Sequence, residues 1–170
     1  MAGLTATEVT HAIDRMAETI AQRFDLDATV FIGIHTLGFP LAQRLADVIK
    51  ARRNKIVPVG ALDIALYRDD LNTGNLPYMR QTDIAFDLTG KTVILVDDVL
   101  FSGRTIRAAL TAILELGRPQ KIEVAVLIDR GHRELPILAS VVGATIQTMR
   151  ADHVRVQLSE LHGKDEVVVN

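Results

Sequence analysis

Two adjacent carboxylates stand at the end of an apolar run in the middle of the chain. The segment Val93–Thr105 reads VILVDDVLFSGRT, in which Asp97 and Asp98 precede a turn that contains Gly103. Ligands of open α/β sheets bind beyond the carboxyl ends of strands, and a glycine lets backbone amides approach an anion where a helix begins. Carboxylates repel phosphate but suit sugar hydroxyls or a magnesium ion. The segment therefore predicts a site for a ligand that carries phosphate beside a cis-diol.

A simpler interpretation exists for each part of this segment. Asp97 and Asp98 alone also fit a core strand that ends in two solvated side chains, with Ser102 and Thr105 capping the next helix. The complete pattern favours the ligand site, because every position fits the same ligand. Other phosphate loops are absent from the sequence, which has neither the Gly-x-x-x-x-Gly-Lys-Ser/Thr pattern nor the Gly-x-Gly-x-x-Gly pattern. The five histidines lack the spacing of a structural zinc site.

The elements that position this segment follow from hydrophobic periodicity and from helix caps. We predict a capped helix from Thr5 to about Phe24, a strand at Thr29–Ile34, a helix from Pro40 to about Lys50, a strand at Lys55–Ala65, a strand at Lys91–Val96, a helix from about Gly103 to Leu116 and a strand at Lys121–Ile128. Short strands and turns should follow. Alternating strands and helices predict one α/β domain over residues 1–170, a mostly parallel sheet with helices on both faces.

The segment Leu66–Asp87 differs from the rest of the chain. Turn-forming residues, among them Asn72, Gly74 and Pro77, lie between two weakly alternating arms. We predict a protruding hairpin or mobile flap, since a loop of this length in a compact domain is usually functional or disordered.

Composition limits the classes of function. The chain has 170 residues, of which 48% are apolar and 24% charged, and its net charge of -2 gives no global attraction for nucleic acid. The sequence has no cysteine, which excludes disulfides and thiolate chemistry. It also lacks a signal-peptide pattern at Met1–Thr10 and any apolar run long enough for a membrane span. We therefore expect a cytoplasmic protein.

Three motifs carry a resemblance to a known family. Val93–Thr105 resembles the signature of type I phosphoribosyltransferases that binds phosphoribosyl pyrophosphate (PRPP). Leu66–Leu71 (LYRDDL) and Asp129–Pro136 (DRGHRELP) are similar to the pyrimidine operon regulator family (PyrR type), and the likeness extends from Leu4 to Val169. Members of that family form UMP and pyrophosphate from uracil and PRPP, and they attenuate transcription by binding messenger RNA. Their fold adds a flap hairpin and a small hood to the sheet.

The resemblance implies a role for each matching residue. Asp97 and Asp98 would hold the ribose hydroxyls, Arg68 would reach the pyrophosphate, and Arg130 and the backbone near Val154 would surround the uracil. The PRPP-binding residues would be Thr36, Leu37, Gly38, Asp97, Asp98, Val99, Leu100, Phe101, Ser102, Gly103, Arg104 and Thr105. Magnesium would be the cofactor, held mainly through PRPP rather than by direct side-chain ligation. A homodimer or a dimer of dimers is implied as well.

Two departures from the family pattern bear on function. The pyrophosphate loop, Lys-Thr-Arg-Gly in the family, reads HTLG at His35–Gly38, so both basic side chains are missing. Positions that carry Thr, His, Arg and Lys on the family's proposed RNA surface align with Asp14, Glu18, Leu138 and Ala144, whereas Arg23 and Arg133 remain. Affinity for RNA depends on neutralised phosphates, so we expect weak or no binding to leader RNA.

Three functional hypotheses remain open from the sequence. The first is uracil phosphoribosyltransferase activity. The second is a regulator that senses nucleotides through the PRPP pocket with little catalysis and binds RNA or a protein. The third is a phosphoribosyltransferase for another base, since base contacts often use backbone groups that a sequence does not display.

Overall fold

The computed structural model describes residues 3–69 and 79–170, so residues 70–78 of the predicted flap lie outside the described residues. Its helices are α1 (Ala6–Arg23), α2 (Gly38–Arg53), α3 (Arg104–Leu116) and α4 (Ser159–His162). Its strands are β1 (Thr29–Ile34), β2 (Val59–Leu62), β3 (Thr92–Leu100), β4 (Lys121–Asp129), β5 (Val141–Thr145), β6 (Val154–Gln157) and β7 (Glu166–Val169). No helix among these residues is long and apolar enough to cross a membrane.

A parallel sheet forms the centre of the chain. Its strand order is β2-β1-β3-β4-β5, and all four neighbouring pairs are parallel. In this order the chain turns in opposite directions from β1 and from β3, which makes the gap between their carboxyl ends the place where such sheets bind ligands. The parallel sheet with helices on both faces, predicted from the sequence, is confirmed.

The side chains of the central strands alternate between two apolar layers. Phe31 and Ile94 point to the face that α1 and α2 cover, whereas Ile32 and Leu95 point to the face that α3 covers. All four side chains are completely buried, as expected for strands covered on both faces. The amphipathic face of α1 contributes Val9, Ala12, Ile13, Met16, Ala17 and Ile20 to the first layer. The sheet is thereby held rigidly beneath its loops.

A smaller element sits beside the sheet. The strands β6 and β7 form an antiparallel pair that packs on the first apolar layer through Val156, Leu158 and Val167. The same element pairs with the start of the chain, where the amide of Leu4 donates to the carbonyl of Val167 at 2.9 Å. This element corresponds to the hood implied by the resemblance.

Several predicted boundaries differ from the structure. The strand predicted at Lys55–Ala65 is observed only at Val59–Leu62, because Pro58 has no amide to donate to the edge ladder. The strand predicted to end at Val96 continues to Leu100, because its pairing with β4 extends to the Leu100–Asp129 pair. The end of β3 is therefore determined by its pairing with β4 and not by the local sequence.

The hood is attached to α2 by one arginine. Arg44 donates to Asp165 at 2.7 and 2.8 Å, to both carboxylate oxygens of Glu160 at 2.6 Å, and to the hydroxyl of Ser159 at 2.9 Å. Its side chain is only 20% exposed. Removal of the guanidinium leaves two clustered carboxylates without their partner, which destabilises a fold more than the loss of a surface ion pair does.

We predict that Arg44→Met lowers the free energy of unfolding by about 2 kcal/mol, less than the roughly 3–5 kcal/mol of a fully buried pair, since Glu160 keeps partial exposure. Urea denaturation followed by circular dichroism measures the change. Arg53→Met is the matched control: its pair with Glu18 is exposed on both sides, so we expect a change within about 0.5 kcal/mol. Equal effects of the two substitutions would contradict this role of Arg44.

Candidate functional site

The start of α2, which follows β1, touches the backbone of β3 near the carboxyl edge of the sheet. A Cβ atom on Gly38 would lie 2.3 Å from the carbonyl oxygen of Val96 and 3.2 Å from the Cα of Asp97. Only glycine permits this approach. The loop that opens α2 is therefore pressed directly against the backbone that carries the acidic pair.

The acidic pair is buried at this edge. Asp97 is 6% exposed, Asp98 is partly accessible, and the Asp97 carboxylate accepts the amide of Asp98 at 2.9 Å. Burial, followed by repulsion from Asp98, raises the pKa of Asp97 well above its usual range, and burial also raises the pKa of Asp98. The buried pair suits a ligand that supplies hydroxyl donors or a cation.

The turn after β3, Ser102–Thr105, has the features of a cradle for an anion, and we call it the cradle. Gly103 has a φ of 91° and begins α3 without any side-chain cap. A Cβ atom there would also lie 3.0 Å from Ile137, so both the backbone conformation and the packing require glycine. The uncapped first turn leaves amides open to an anion, which the helix dipole favours as well. The amide of Arg104 has the hydroxyl of Ser102 as a distant acceptor at 3.3 Å.

A cavity of about 360 Å³ opens over this cradle. Its lining residues are Arg68, Asp69, Val99, Leu100, Phe101, Ser102, Gly103, Arg104, Thr105, Ile106 and Glu134. The structure thus brings Arg68 together with the predicted residues 99–105. The positive charge of Arg68 also lowers the pKa of Asp97, against the larger effect of burial, so this cation lies near enough to interact with the acidic pair.

Charged side chains enclose the same cavity. Arg104 donates to Asp69 and to Glu134, both at 2.8 Å, and Arg150 forms a second ion pair with Glu134. Arg107 lies 3.7 Å from Asp69. These pairs connect the start of the predicted flap, the cradle helix and the turn after β4, so the cradle is bordered by carboxylates whose arginine partners could also bind phosphate.

The predicted pyrophosphate loop lies on another side of the acidic pair. Thr36 is exposed and lines a separate cavity of about 210 Å³, whereas Leu37 is partly buried against the first apolar layer. The peptide bond between His35 and Thr36 is cis. Thr36, Leu37 and Gly38 do not line the 360 Å³ cavity; Gly38 joins the site through its contact with β3.

Arg130 lies beneath the hood rather than in open solvent. Its guanidinium stacks on Phe101 with 4.3 Å between the guanidinium carbon and the ring centre, and it donates to the carbonyls of Asp152 at 2.7 Å and Met149 at 2.8 Å. Its terminal nitrogens are therefore engaged by the backbone that leads to Val154. Contact between this region and a base stays a prediction. Because the terminal nitrogens of Arg130 are already engaged, the backbone that they hold is better placed to contact a base than the guanidinium itself.

The acidic side chains at the site bear on whether a magnesium ion could bind there. Within residues 3–69 and 79–170, no cluster of three His, Cys, Asp or Glu side chains could hold a metal alone. Asp97 and Asp98 offer two carboxylates whose pKa is raised by burial. Magnesium typically takes one or two carboxylates together with substrate phosphates. The pair therefore fits an ion that arrives with a phosphorylated ligand.

The surface aligned with the family's RNA contacts is neutralised by internal ion pairs. Asp14 binds Arg52 at 2.7 Å and Glu18 binds Arg53, so the acids of α1 bind the basic end of α2. Leu138 is 81% exposed. A further member of this aligned set, Ala144, packs partly against the first apolar layer.

The two basic residues retained on this surface also have internal partners. Arg23 donates to the carbonyl of Ser140 at 2.6 Å. Arg133 donates to the carbonyl of Phe101 at 3.0 Å and of Ile137 at 2.9 Å. These backbone contacts compete with any phosphate for the same donors.

Sequence reasoning missed part of the site. Asp69 and Glu134 stood inside recognised motifs but received no role, and Arg150 stood in no motif. In the sequence these residues are only opposite charges at distant positions. Their pairing becomes apparent in the folded chain, where they form ion pairs. Phe101 was assigned to PRPP, yet its ring contacts Arg130 and lies edge-on to His132 at 6.3 Å.

Comparison with known proteins agrees with this geometry. The model of the phosphoribosyl transferase domain family matches residues 5–160. The bifunctional protein PyrR of Chloroflexus aurantiacus is 53% identical over 168 residues, 98% of this chain and 92% of that protein. PyrR of Thermus thermophilus is 51% identical over 166 residues, 96% of this chain and 92% of that protein.

Among solved structures, a hypoxanthine-guanine phosphoribosyltransferase of Bacillus anthracis aligns with a TM-score of 0.73 at 21% identity, over 100% of this chain and 97% of that one. A hypoxanthine phosphoribosyltransferase of Trypanosoma cruzi gives 0.74 at 20% identity, over 98% and 89% of the two chains. At such identity the likeness concerns the fold, whereas the family model and the PyrR relatives concern the sequence itself. The chain therefore belongs to the phosphoribosyltransferase family and, within it, to the PyrR proteins.

Proposed function

We propose that this protein is a uracil phosphoribosyltransferase that forms UMP and pyrophosphate from uracil and PRPP. Membership of the family supports PRPP-dependent transfer. The observation that carries the proposal is the acidic pair Asp97–Asp98 beside an uncapped helix start at Gly103, with Arg68 near the pair. A phosphorylated sugar matches this arrangement of acids and amides.

Each part of the ligand has a matching group. Hydroxyls of the ribose donate to Asp97 and Asp98, which lowers the cost of burying these carboxylates. The 5′-phosphate accepts from amides and hydroxyls of Ser102–Thr105. Pyrophosphate lies against the backbone of Thr36–Gly38 and the cation of Arg68. Uracil lies under the hood, near Arg130 and Val154.

The reaction requires charge stabilisation rather than a side-chain nucleophile. The bond between C1 of the ribose and a pyrophosphate oxygen breaks, a bond from C1 to a ring nitrogen of uracil forms, and the proton of that nitrogen passes to the released pyrophosphate or to solvent. C1 becomes cation-like while the leaving group gains negative charge. Preorganised donors and cations aimed at that charge lower the barrier, and Arg68 is such a cation. Carboxylates beneath the ribose stabilise the positive charge on the sugar.

A magnesium ion bound with PRPP would neutralise pyrophosphate and lower the cost of its departure. The ion would be held mainly through PRPP, and Asp97 and Asp98 are the residues of the chain that would hold it together with that ligand. Residues of the chain position the rest of the ligand: they hold the sugar against β3 and the 5′-phosphate against α3.

Two other hypotheses remain in competition with this proposal. A nucleotide-sensing regulator would bind PRPP or UMP without turnover, and the missing basic side chains at His35 and Leu37 favour it. A transferase for another base would retain every contact to the sugar and phosphates. Assays of binding and turnover separate the three.

We predict that kcat/KM with PRPP is more than about tenfold higher for uracil than for hypoxanthine, guanine or orotate, because buried polar groups left unpaired by a wrong base penalise it. Pyrophosphate release measures the rate, and chromatography identifies UMP. Faster turnover of another base would overturn the assignment to uracil. Binding of PRPP by calorimetry without turnover of any base would favour the regulator.

We predict that Asp97→Asn combined with Asp98→Asn lowers kcat at least about a hundredfold, because the sugar cation loses its negative partners. The matched control is Asp47→Asn, which changes an exposed aspartate of α2 outside the site. Turnover of the double variant equal to that of the unmodified protein would remove the central assignment.

The double variant should remain folded. The pKa of each buried carboxyl is raised in the folded state, so the stability that these groups contribute is greatest below the usual aspartate pKa and falls as pH rises toward the folded value. Asparagine has no such dependence. At pH 8 the double variant should therefore unfold at a urea concentration no lower than that of the unmodified protein, and its advantage should disappear in acid.

We further propose that binding to leader RNA is weakened in this protein. The ion pairs of Asp14 with Arg52 and of Glu18 with Arg53 support this proposal, because each carboxylate competes with an RNA phosphate for its arginine.

We predict weak binding to a pyrimidine leader hairpin in gel shifts, and tighter, more salt-dependent binding after Asp14→Asn with Glu18→Gln. Release of two arginines should steepen the log–log salt dependence by up to about two units. The control is Asp27→Asn with Glu166→Gln, which frees Lys55 and Lys164 elsewhere with the same change in net charge. Tight, salt-sensitive binding by the unmodified protein would refute the proposal.

A further inference from the structure

The loop between β1 and α2 has lost its permanently charged donors. His35, Thr36, Leu37 and Gly38 include no lysine or arginine. Leu37 has no hydrogen-bond donor on its side chain and packs against the first apolar layer. A pyrophosphate group at this loop would therefore meet backbone amides and the Thr36 hydroxyl, with no fixed cation from the loop.

A cation from elsewhere in the chain lies at this loop. Arg80 lines the 210 Å³ cavity together with His35 and Thr36. The remaining lining residues are Phe39, Pro40, Gln43, Glu160 and Leu161. Arg80 is thus far from His35 in sequence but shares a cavity with it and with Thr36.

Hydrogen bonds fix the backbone at Arg80. Its amide donates to a carboxylate oxygen of Asp63 at 2.5 Å, and the amide of Asp63 donates to the hydroxyl of Thr82 at 3.1 Å. The ring Nε2 of His35 lies 3.2 Å from the carbonyl oxygen of Gln81. His35 therefore keeps a structural role in the loop, which ties the loop to the segment that carries Arg80.

The guanidinium of Arg80 is available for a ligand. It forms no ion pair with any residue in the described ranges 3–69 and 79–170. The carboxylate that lines the same cavity, Glu160, already binds Arg44 through both oxygens at 2.6 Å. Arg80 thus adds positive charge to a cavity whose own carboxylate is already paired.

We infer that Arg80 is a pyrophosphate-binding residue that supplies the cation missing from the loop at Leu37. This inference rests on the proposed function, since it assumes that PRPP binds between this loop and Asp97–Asp98. Arginine suits the role because its planar fork donates two parallel hydrogen bonds to a phosphate. The positive charge that stabilises the leaving pyrophosphate then comes from two arginines, Arg68 and Arg80, which precede and follow residues 70–78 in the sequence.

Arg80→Gln tests the assignment with a readout independent of turnover. Titration calorimetry measures the binding of PRPP, of pyrophosphate and of UMP, each in the presence of magnesium. We expect affinities for PRPP and pyrophosphate to fall on the order of tenfold. Affinity for UMP, which has no pyrophosphate, should stay within about twofold. Arg80→Lys should restore part of the loss, because it keeps the charge without the fork.

Arg118→Gln is the matched control. Arg118 is an exposed arginine that follows α3, and it forms no ion pair in the described part of the chain. It stands before β4, at the opposite edge of the sheet from the site. All three affinities should remain unchanged in this variant.

The outcomes separate this inference from the proposed function. If the unmodified protein binds PRPP and Arg80→Gln binds PRPP and pyrophosphate equally well, the role of Arg80 is wrong and the proposed function stands. An equal loss of UMP, PRPP and pyrophosphate binding would show that Arg80 only supports the fold, which also overturns the inference. If the unmodified protein binds no PRPP, the proposed function fails and the inference fails with it.

Discussion

Two adjacent carboxyl groups, buried at the carboxyl end of β3, impose the constraint on which the site depends. Burial raises the pKa of both, and repulsion from Asp98 raises that of Asp97 further. The free protein therefore bears a cost in folding free energy for keeping this pair charged near neutral pH. A ligand that brings hydroxyl donors or a cation removes part of that cost, so the same burial that destabilises the fold favours binding. The parallel core on both faces of β3 supplies the stability that makes such a site possible.

The position of the pair follows from strand order. Because β1 and β3 are neighbours while α2 and α3 cover opposite faces, the chain leaves these two strands toward opposite faces of the sheet, the arrangement at which such sheets bind ligands. Two glycines then bring the backbone close to a ligand, Gly38 by its contact with β3 and Gly103 by its left-handed conformation. In the proposed function, one loop would meet the pyrophosphate end of the ligand and the other would meet its 5′-phosphate. The acids lie between them, where the sugar would be.

The sequence predicted the parts of this arrangement that local patterns encode. The apolar run before Asp97, the turn at Gly103 and the helix after it form one contiguous segment, so strand, acids and cradle could be recognised together. The end of β3 was predicted too early because Leu100 is held in the strand by Asp129 of β4, a contact that no local window contains. For the same reason the sequence did not predict the ion pairs of Arg104 with Asp69 and Glu134, because these three residues lie in separate segments of the chain. Base contacts were predicted only by resemblance, and the burial of the Arg130 guanidinium under the hood could not be read from its motif.

The departures from the family pattern at Leu37, before α2, and at Asp14 and Glu18, on α1 beside the end of α2, have different physical consequences. At the start of α2, Leu37 removes a cation from a place where the helix dipole and open amides already favour an anion, so the loss is partial and another arginine can compensate for it. At the end of α2, Arg52 and Arg53 are present but each binds a carboxylate of α1. Binding of a small phosphorylated ligand depends on a few fixed donors, whereas binding of RNA depends on many uncompensated cations spread over a surface. We therefore propose enzymatic transfer ahead of attenuation, because Arg52 and Arg53 are already paired with carboxylates.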